Sequence, residues 1–213
     1  MKPILFNTDM VRAILDGRKT VTRRVIKGQD KKTMYAGSCM LGAGLFDDET
    51  CKRVIEPPYK VGDVLYIRET WRKITDTEYG YRADCHKANE TVFNWKPSIH
   101  MPKEAARIFL KITSIKAAQL RDMKLEDFLK EGIYIKPSET VPIGSDNMLT
   151  GSDRQAAIDC RCEAVAREKF KDLWNSTAGK PFSPERYANS WYGNPYVWVI
   201  EFEVITADQA QGN

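Results

Sequence analysis

Eight successive residues near the start of the chain, Gly17-Arg18-Lys19-Thr20-Val21-Thr22-Arg23-Arg24, concentrate groups able to do chemistry. Four are cationic and two of the others carry hydroxyls. A threonine hydroxyl is a weak nucleophile until a neighbouring base takes its proton, and a lysine amine three residues away can be that base. The same octet also reads as a helix-ending glycine followed by a solvated basic strand, because charge runs usually face water. The geometry separates the two readings. On a regular strand Lys19, Val21 and Arg23 share one face while Thr20, Thr22 and Arg24 share the other. Cooperation between Lys19 and Thr22 therefore demands a bend at Thr20-Val21.

A second dense group is Arg68-Glu69-Thr70-Trp71-Arg72. An indole plane flanked by guanidinium groups suits the stacking of a base. It equally suits a half-exposed Trp71 under an arginine stem, with Glu69 paired to Arg68 or Arg72. Glu131 stands at the end of a helical pattern closed by Gly132, on the unfavourable end of the helix dipole, which raises its proton affinity a little. A solvated glutamate beside Lys130 is the plainer account. His100 lies in a loop between Pro97 and Pro102 and reads as a structural hydrogen-bonding group. The five cysteines, Cys39, Cys51, Cys85, Cys160 and Cys162, are odd in number and irregular in spacing, which argues against a disulfide framework. Cys85-His86 and Cys160-x-Cys162 lack the paired spacing of structural zinc sites. Reduced thiols are expected, with no metal and no cofactor.

The elements that must position these groups follow from pattern. Lys2 to Phe6 reads as an edge strand. Asn7, Thr8 and Asp9 are N-cap types, and Met10, Val11, Ile14 and Leu15 give the helix after them one apolar face. Gly17 sits where a C′ glycine belongs, so the octet starts where the helix stops. Residues 27–55 are polar, glycine-rich and poorly periodic, a surface insertion with a hairpin around Gly42 and Gly44. Val64 to Ile67 is a strand extended by 68–72, and 79–83 another. Ala105 to Ile115 alternates as a half-buried strand. Leu120 to Glu131 is a helix. Residues 134–150 read as a loop. Asp153 to Trp174 is the longest helix, with a break near Cys160-Cys162, and 175–194 a loop packed on the core. Tyr196 to Ile205 is the clearest strand, and the tail from Thr206 frays.

The 213 residues are 42 % hydrophobic and 29 % charged, ordinary values for one globular domain. A formal charge of +4 is too small to argue nucleic-acid binding by itself. No apolar run approaches the ~18 residues of a membrane span. The start, Met-Lys-Pro-Ile-Leu-Phe-Asn-Thr-Asp, does not read as a signal peptide. A cytoplasmic monomer that avoids membranes is expected. Strands and helices without β-α-β alternation give an α+β class and exclude a doubly wound parallel fold.

The octet pattern Gly-x-Lys-x-x-(Thr or Glu)-x-Arg, here Gly17, Lys19, Thr22 and Arg24, resembles the signature of ASCH domains. Three later stretches match in order: Pro-Ser-Ile-His-Met-Pro at 97–102, Leu-Trp-Asn-Ser at 173–176 and Asn-Pro-Tyr-Val-Trp-Val-Ile-Glu-Phe at 194–202. Together they resemble the longer ASCH proteins of phages and prophages. The resemblance implies a PUA-like small mixed β-barrel with flanking helices, a single domain over 1–205, insertions near 27–55 and 136–190, and a tail at 206–213. Small bacterial ASCH proteins include an amidohydrolase that deacetylates acetylcytidine with a Lys, a Thr three residues on, and a Glu near the end of a later helix. By position these are Lys19, Thr22 and Glu131, the last placed by its helix alone. Lys19 must then be neutral, and desolvation with Arg18, Arg23 and Arg24 nearby works toward that. Arg23, Arg24, Arg68, Glu69 and Trp71 would meet the substrate, Arg24 at a carbonyl or oxyanion and Glu69 with Trp71 at the base. The chain is much longer than that enzyme, so a nucleoside or modified-base ligand is implied more firmly than acetylcytidine. PUA-like barrels commonly bind RNA, so a non-catalytic RNA- or nucleotide-binding module, a phage accessory protein, is the other expectation.

Overall fold

The computed structural model describes residues 1–39, 42–85, 92–140, 151–178 and 184–211. In chain order its strands are β1 (Lys2–Leu5), β2 (Val21–Val25), β3 (Met34–Cys39), β4 (Gly42–Asp47), β5 (Arg53–Ile55), β6 (Val64–Arg68), β7 (Trp71–Lys73), β8 (Tyr79–Tyr81), β9 (Phe109–Gln119) and β10 (Tyr196–Ile205). The helices are α1 (Thr8–Leu15), α2 (Leu125–Lys130), α3 (Pro137–Thr140), α4 (Gly151–Ala178), α5 (Pro184–Asn189) and α6 (Ala207–Gln211). The class is mixed α+β. Five strands form a sheet in the order β1-β6-β9-β10-β2, β3-β4-β5 form a second, and β7-β8 a hairpin. Among the described residues none of these sheets closes into a barrel.

The chain groups into two compact units: Met1–Thr22, Pro57–Ile115 and Ile200–Asn213 make the first, and Arg23–Glu56 with Lys116–Val199 the second. In the first unit β1 lies parallel to β6, Lys2 against Leu65 and Leu5 against Arg68, and β6 is antiparallel to β9, Val64 against Lys111. Asn7 caps α1 by accepting from the Met10 amide at 2.9 Å. Arg12 anchors that helix on the turn 82–85, donating to the carbonyls of Ala83 (3.0 Å), Arg82 (3.2 Å) and Cys85 (2.8 Å). Gly17, at φ +71, ends the helix as expected, and the amides of Arg18 and Lys19 both donate to Ala13 O at 2.9 Å.

In the second unit Phe170 of α4 gathers Phe128 (5.6 Å between centroids), Trp174 (6.0 Å) and Trp191 (6.1 Å) into an aromatic core. Within residues 27–55, expected as an irregular insertion with a hairpin around Gly42 and Gly44, β3 and β4 do pair antiparallel with Gly42 opposite Cys39, and β5 adds a third strand that was not expected. Polarity hid the extent of these strands, whose glycines are packed: Gly37 lies under the Phe46 ring and Gly44 under the Arg53 stem.

Several boundaries shift for local reasons. The expected strand 64–72 divides at Glu69-Thr70 into β6 and β7. The strand expected from Ala105 starts at Phe109, because Pro102 leads into a 3-10 turn over Lys103–Ala105. The helix expected over 120–131 is a 3-10 turn, Leu120–Asp122, then α2, separated where Lys124 turns extended (ψ 172°) and Asp127 Oδ2 accepts its amide at 3.1 Å. Residues 137–140 form α3, and the rest of that expected loop, 141–150, lies outside the described residues. Helix α4 runs through Cys160-Cys162 without the expected break. The expected loop 175–194 holds the end of α4 and all of α5. The tail forms α6, with Ala210 packed on Val64 and Phe109.

Candidate functional site

The octet is not a solvated strand. Lys19 and Thr22 are each 1 % exposed and Arg23 6 %. Both faces of β2 are covered at Val21, Thr22 and Arg23, so strand alternation does not sort these residues into buried and wet sets. The regular strand starts only at Val21, and Lys19 precedes it. The Lys19 side chain folds back along its own segment, and Nζ donates to Val21 O at 2.8 Å. That carbonyl belongs to the peptide bond whose nitrogen is that of Thr22. The Phe6 ring lies 5.7 Å from the same amine, so its setting includes an aromatic face as well as that carbonyl. Phe6 is in turn placed by Phe202 of β10, at 6.5 Å between centroids, and by its backbone N–H, which donates to Arg68 O at 3.2 Å.

Arg23 was expected at the substrate. Both its terminal nitrogens bond carboxylates of the second unit: Nη1 to Glu131 Oε1 and Nη2 to Asp127 Oδ1, each at 3.0 Å. Asp127 and Glu131 are four residues apart and so share one side of α2 and its cap. Glu131 is the C-cap residue, 4 % exposed, and Gly132 turns the chain away at φ +90. The plainer account, a solvated Glu131, does not hold. Asp127 was not singled out in the sequence, although its i, i+4 spacing from Glu131 is the signal that finds it.

Glu69 is 1 % exposed and held by Arg107, whose Nε and Nη2 reach its two oxygens at 2.9 and 3.2 Å. Arg107 also forks onto Asp84 at 2.8 and 2.9 Å and lies 3.9 Å over the Tyr81 ring. Burial pushes the Glu69 carboxyl above its ordinary value, and the Arg107 hydrogen bonds and charge offset this only in part. Burial works against the Arg107 cation, but bonds to Glu69 and Asp84 outweigh it and hold its pKa above the usual guanidinium value. Neither Arg68 nor Arg72, the partners considered from sequence, holds Glu69. Arg107 was hidden because its partner stands 38 positions away.

Trp71 is not an open stacking plane. It is 6 % exposed, clusters with Met101 and Ala105, and meets Tyr79 edge-on at 5.7 Å. Its Nε1 is buried with no hydrogen-bond partner, and so is Arg68 Nε. Arg68 also donates through Nη2 to Ile99 O, while Arg24 is half-buried. His100 is exposed in a 3-10 turn over Ser98–His100. Cys51, Cys85, Cys160 and Cys162 are free, and His86 lies outside the described residues. Among the described residues no group of three or more His, Cys, Asp or Glu side chains is placed to hold a metal ion. None of the described helices is long and apolar enough to cross a membrane.

No family model, curated protein or solved structure matches the chain.

Proposed function

We propose that the chain is an amidohydrolase that removes an acyl group from the amine of a modified nucleoside, of acetylcytidine type. The observation that carries this reading is the seat of Lys19: its amine is withdrawn from water and bonded to the carbonyl of the peptide link into Thr22. A base for Thr22 needs to be near it, held in place and dehydrated, since removal from water works toward the neutral amine. A cation that only attracts phosphate needs none of this.

In this reading Lys19 takes the hydroxyl proton of Thr22, and Thr22 Oγ1 attacks the acyl carbonyl. The tetrahedral intermediate breaks its C–N bond as the proton taken from Thr22 is delivered to the leaving amine, the task that the ASCH resemblance gives to Glu131. Water then cleaves the acyl-threonine ester, releasing a carboxylate and restoring Thr22. Arg24 faces the oxyanion. Arg23 becomes the residue that positions Glu131. Glu69 and Trp71 shape the site from within the core. The reading carries with it an ASCH-type, PUA-like fold and a cytoplasmic protein; the succession of helix, Gly17, basic octet and strand is what supports it.

Hydrolysis of acetylated nucleosides tests it. Turnover should fall by about 10²-fold or more in both Lys19→Ala and Thr22→Ala, as for loss of a base or nucleophile. A second reading, an RNA- or nucleotide-binding module, draws on the Arg72 guanidinium lying 4.0 Å over the Phe93 ring and 5.9 Å from that of Trp95. Absence of turnover on every acylated cytidine, with salt-sensitive RNA binding that Thr22→Ala leaves intact, would establish that reading in place of the first.

A further inference from the structure

The second unit holds a cavity of about 720 Å³ whose described lining includes Val25, Ile26, Lys27, Gly28, Lys31, Tyr187 and Asn189, with Gln29, Ala188 and Gly193 beside them. None of these residues belongs to the proposed catalytic set. The volume is that of a small-molecule site. Among the described residues its lining carries two ammonium groups and no carboxylate.

The walls are built rather than loose. Gly28, at φ +73, turns the chain after β2. Gln29 then pins that turn to β10, donating to Ile26 O at 2.6 Å and Tyr196 O at 3.1 Å and accepting from Tyr196 N at 2.6 Å. Lys31 ties the same segment to the opposite loop through the carbonyls of Gly193 and Asn194, the latter at 2.5 Å. On the α5 side, Trp174 Nε1 donates to Asn189 O at 2.9 Å and Ser190 N to Tyr187 O at 3.0 Å. Gly193 is required by close approach: a Cβ there would meet the carbonyl oxygens of Ala188 and Tyr187 at 2.4 Å.

The chemistry presented by this frame is specific. Lys27 is exposed and makes no ion pair among the described residues. Lys31 has one ammonium hydrogen left after its two carbonyls, and burial lowers its pKa, a cost that an anion beside it would relieve. Tyr187 offers an exposed ring. Asn189 offers a side-chain amide, which both donates and accepts and can read the edge of a base. We infer that this cavity binds a nucleotide, with its phosphate at Lys27 and Lys31 and its base against Tyr187 and Asn189. The source is either a free mononucleotide or the 5′-terminal nucleotide of an RNA strand. The inference does not rest on the amidohydrolase reading.

Calorimetric titration of the full chain with adenosine, guanosine, cytidine and uridine 5′-monophosphates tests it, with the unphosphorylated nucleosides and inorganic phosphate as controls. Expected is binding of at least one monophosphate, weakened about tenfold or more in Lys27→Gln, as one charge-assisted contact is lost, and restored in Lys27→Arg. Tyr187→Ala should weaken it as well; both positions are exposed, so these variants should fold. A 5′-phosphorylated oligoribonucleotide that displaces the mononucleotide with equal or higher affinity assigns the site to an RNA end, and failure to displace assigns it to a free nucleotide. Binding unchanged in Lys27→Gln, phosphate binding as tightly as every nucleotide, or no monophosphate binding at all overturns the inference. Hydrolysis by Lys27→Gln should equal that of the unaltered chain, so loss of nucleotide binding and loss of the catalytic reading are told apart.

Discussion

Arg23 holds two carboxylates with one guanidinium while almost wholly out of water, and this makes it the most sensitive single position of the candidate site. Removing one member of a buried pair leaves an uncompensated charge, which costs about 3–5 kcal/mol. Arg23→Met should lose that much in urea unfolding, and Arg23→Met with Glu131→Leu should recover most of it. A single variant within about 1 kcal/mol of the unaltered chain would mean that water reaches the pair, as at exposed salt bridges. Glu69 makes a pH-dependent prediction. Its carboxyl is raised above the ordinary 4.5 by burial, so the folded state holds a proton that the unfolded state has already released. Stability from this group is therefore complete below the unfolded value and is lost as pH rises from 4.5 through the raised folded value. Denaturation midpoints of the unaltered chain and Glu69→Gln, compared across that range, should diverge in favour of Gln as pH rises. Divergence the other way would show that Arg107 outweighs desolvation.

At the level of elements, two glycines carry separable tasks. Gly17 supplies the left-handed turn that sends the chain from α1 into the octet, so Gly17→Ala should cost about 1 kcal/mol through strain alone, with space for the methyl. Gly193→Ala meets backbone carbonyls instead, and overpacking of that kind costs about 1–3 kcal/mol. Thermal unfolding of both should rank Gly193→Ala as the worse. Elements fixed by local pattern were legible in sequence. The Asn7 cap with its apolar face gave α1, Gly132 gave the end of α2, and alternation of Val, Ile, Trp and Phe gave β10. Elements fixed by distant packing were not. A hairpin around Gly42 and Gly44 was legible, but not its extent over β3 and β4 or its third strand β5: Phe46 lies over Gly37 and Arg53 over Gly44, and no period in a polar segment announces that. The end of the chain forms α6 because Ala210 finds Val64 and Phe109, which stand far away in sequence.

For the whole molecule the question is whether its modest positive charge is turned toward a polyanion. The octet was legible as a concentration of cations and hydroxyls, and Glu131 as the residue at the end of its helix. Their burial was not, because β2 is covered on both faces and a sequence shows only one strand at a time. That burial bears directly on nucleic-acid affinity. Phosphate contacts come from cations that reach solvent, and each neutralised phosphate of a single strand adds about −0.7 to the slope of log affinity against log salt. Lys19 and Arg23 sit 1 % and 6 % exposed, with Lys19 on Val21 O and Arg23 on its carboxylates, so neither is turned toward a strand. Lys19→Met should therefore leave the salt slope of any RNA binding unchanged, while Arg72→Met, beside Phe93, should reduce it by about 0.7. Filter binding of a short single-stranded RNA over a range of salt concentrations measures both. A slope that falls by about 0.7 in Lys19→Met would place the Lys19 amine on a phosphate, and the octet would then be a binding surface rather than a catalytic one.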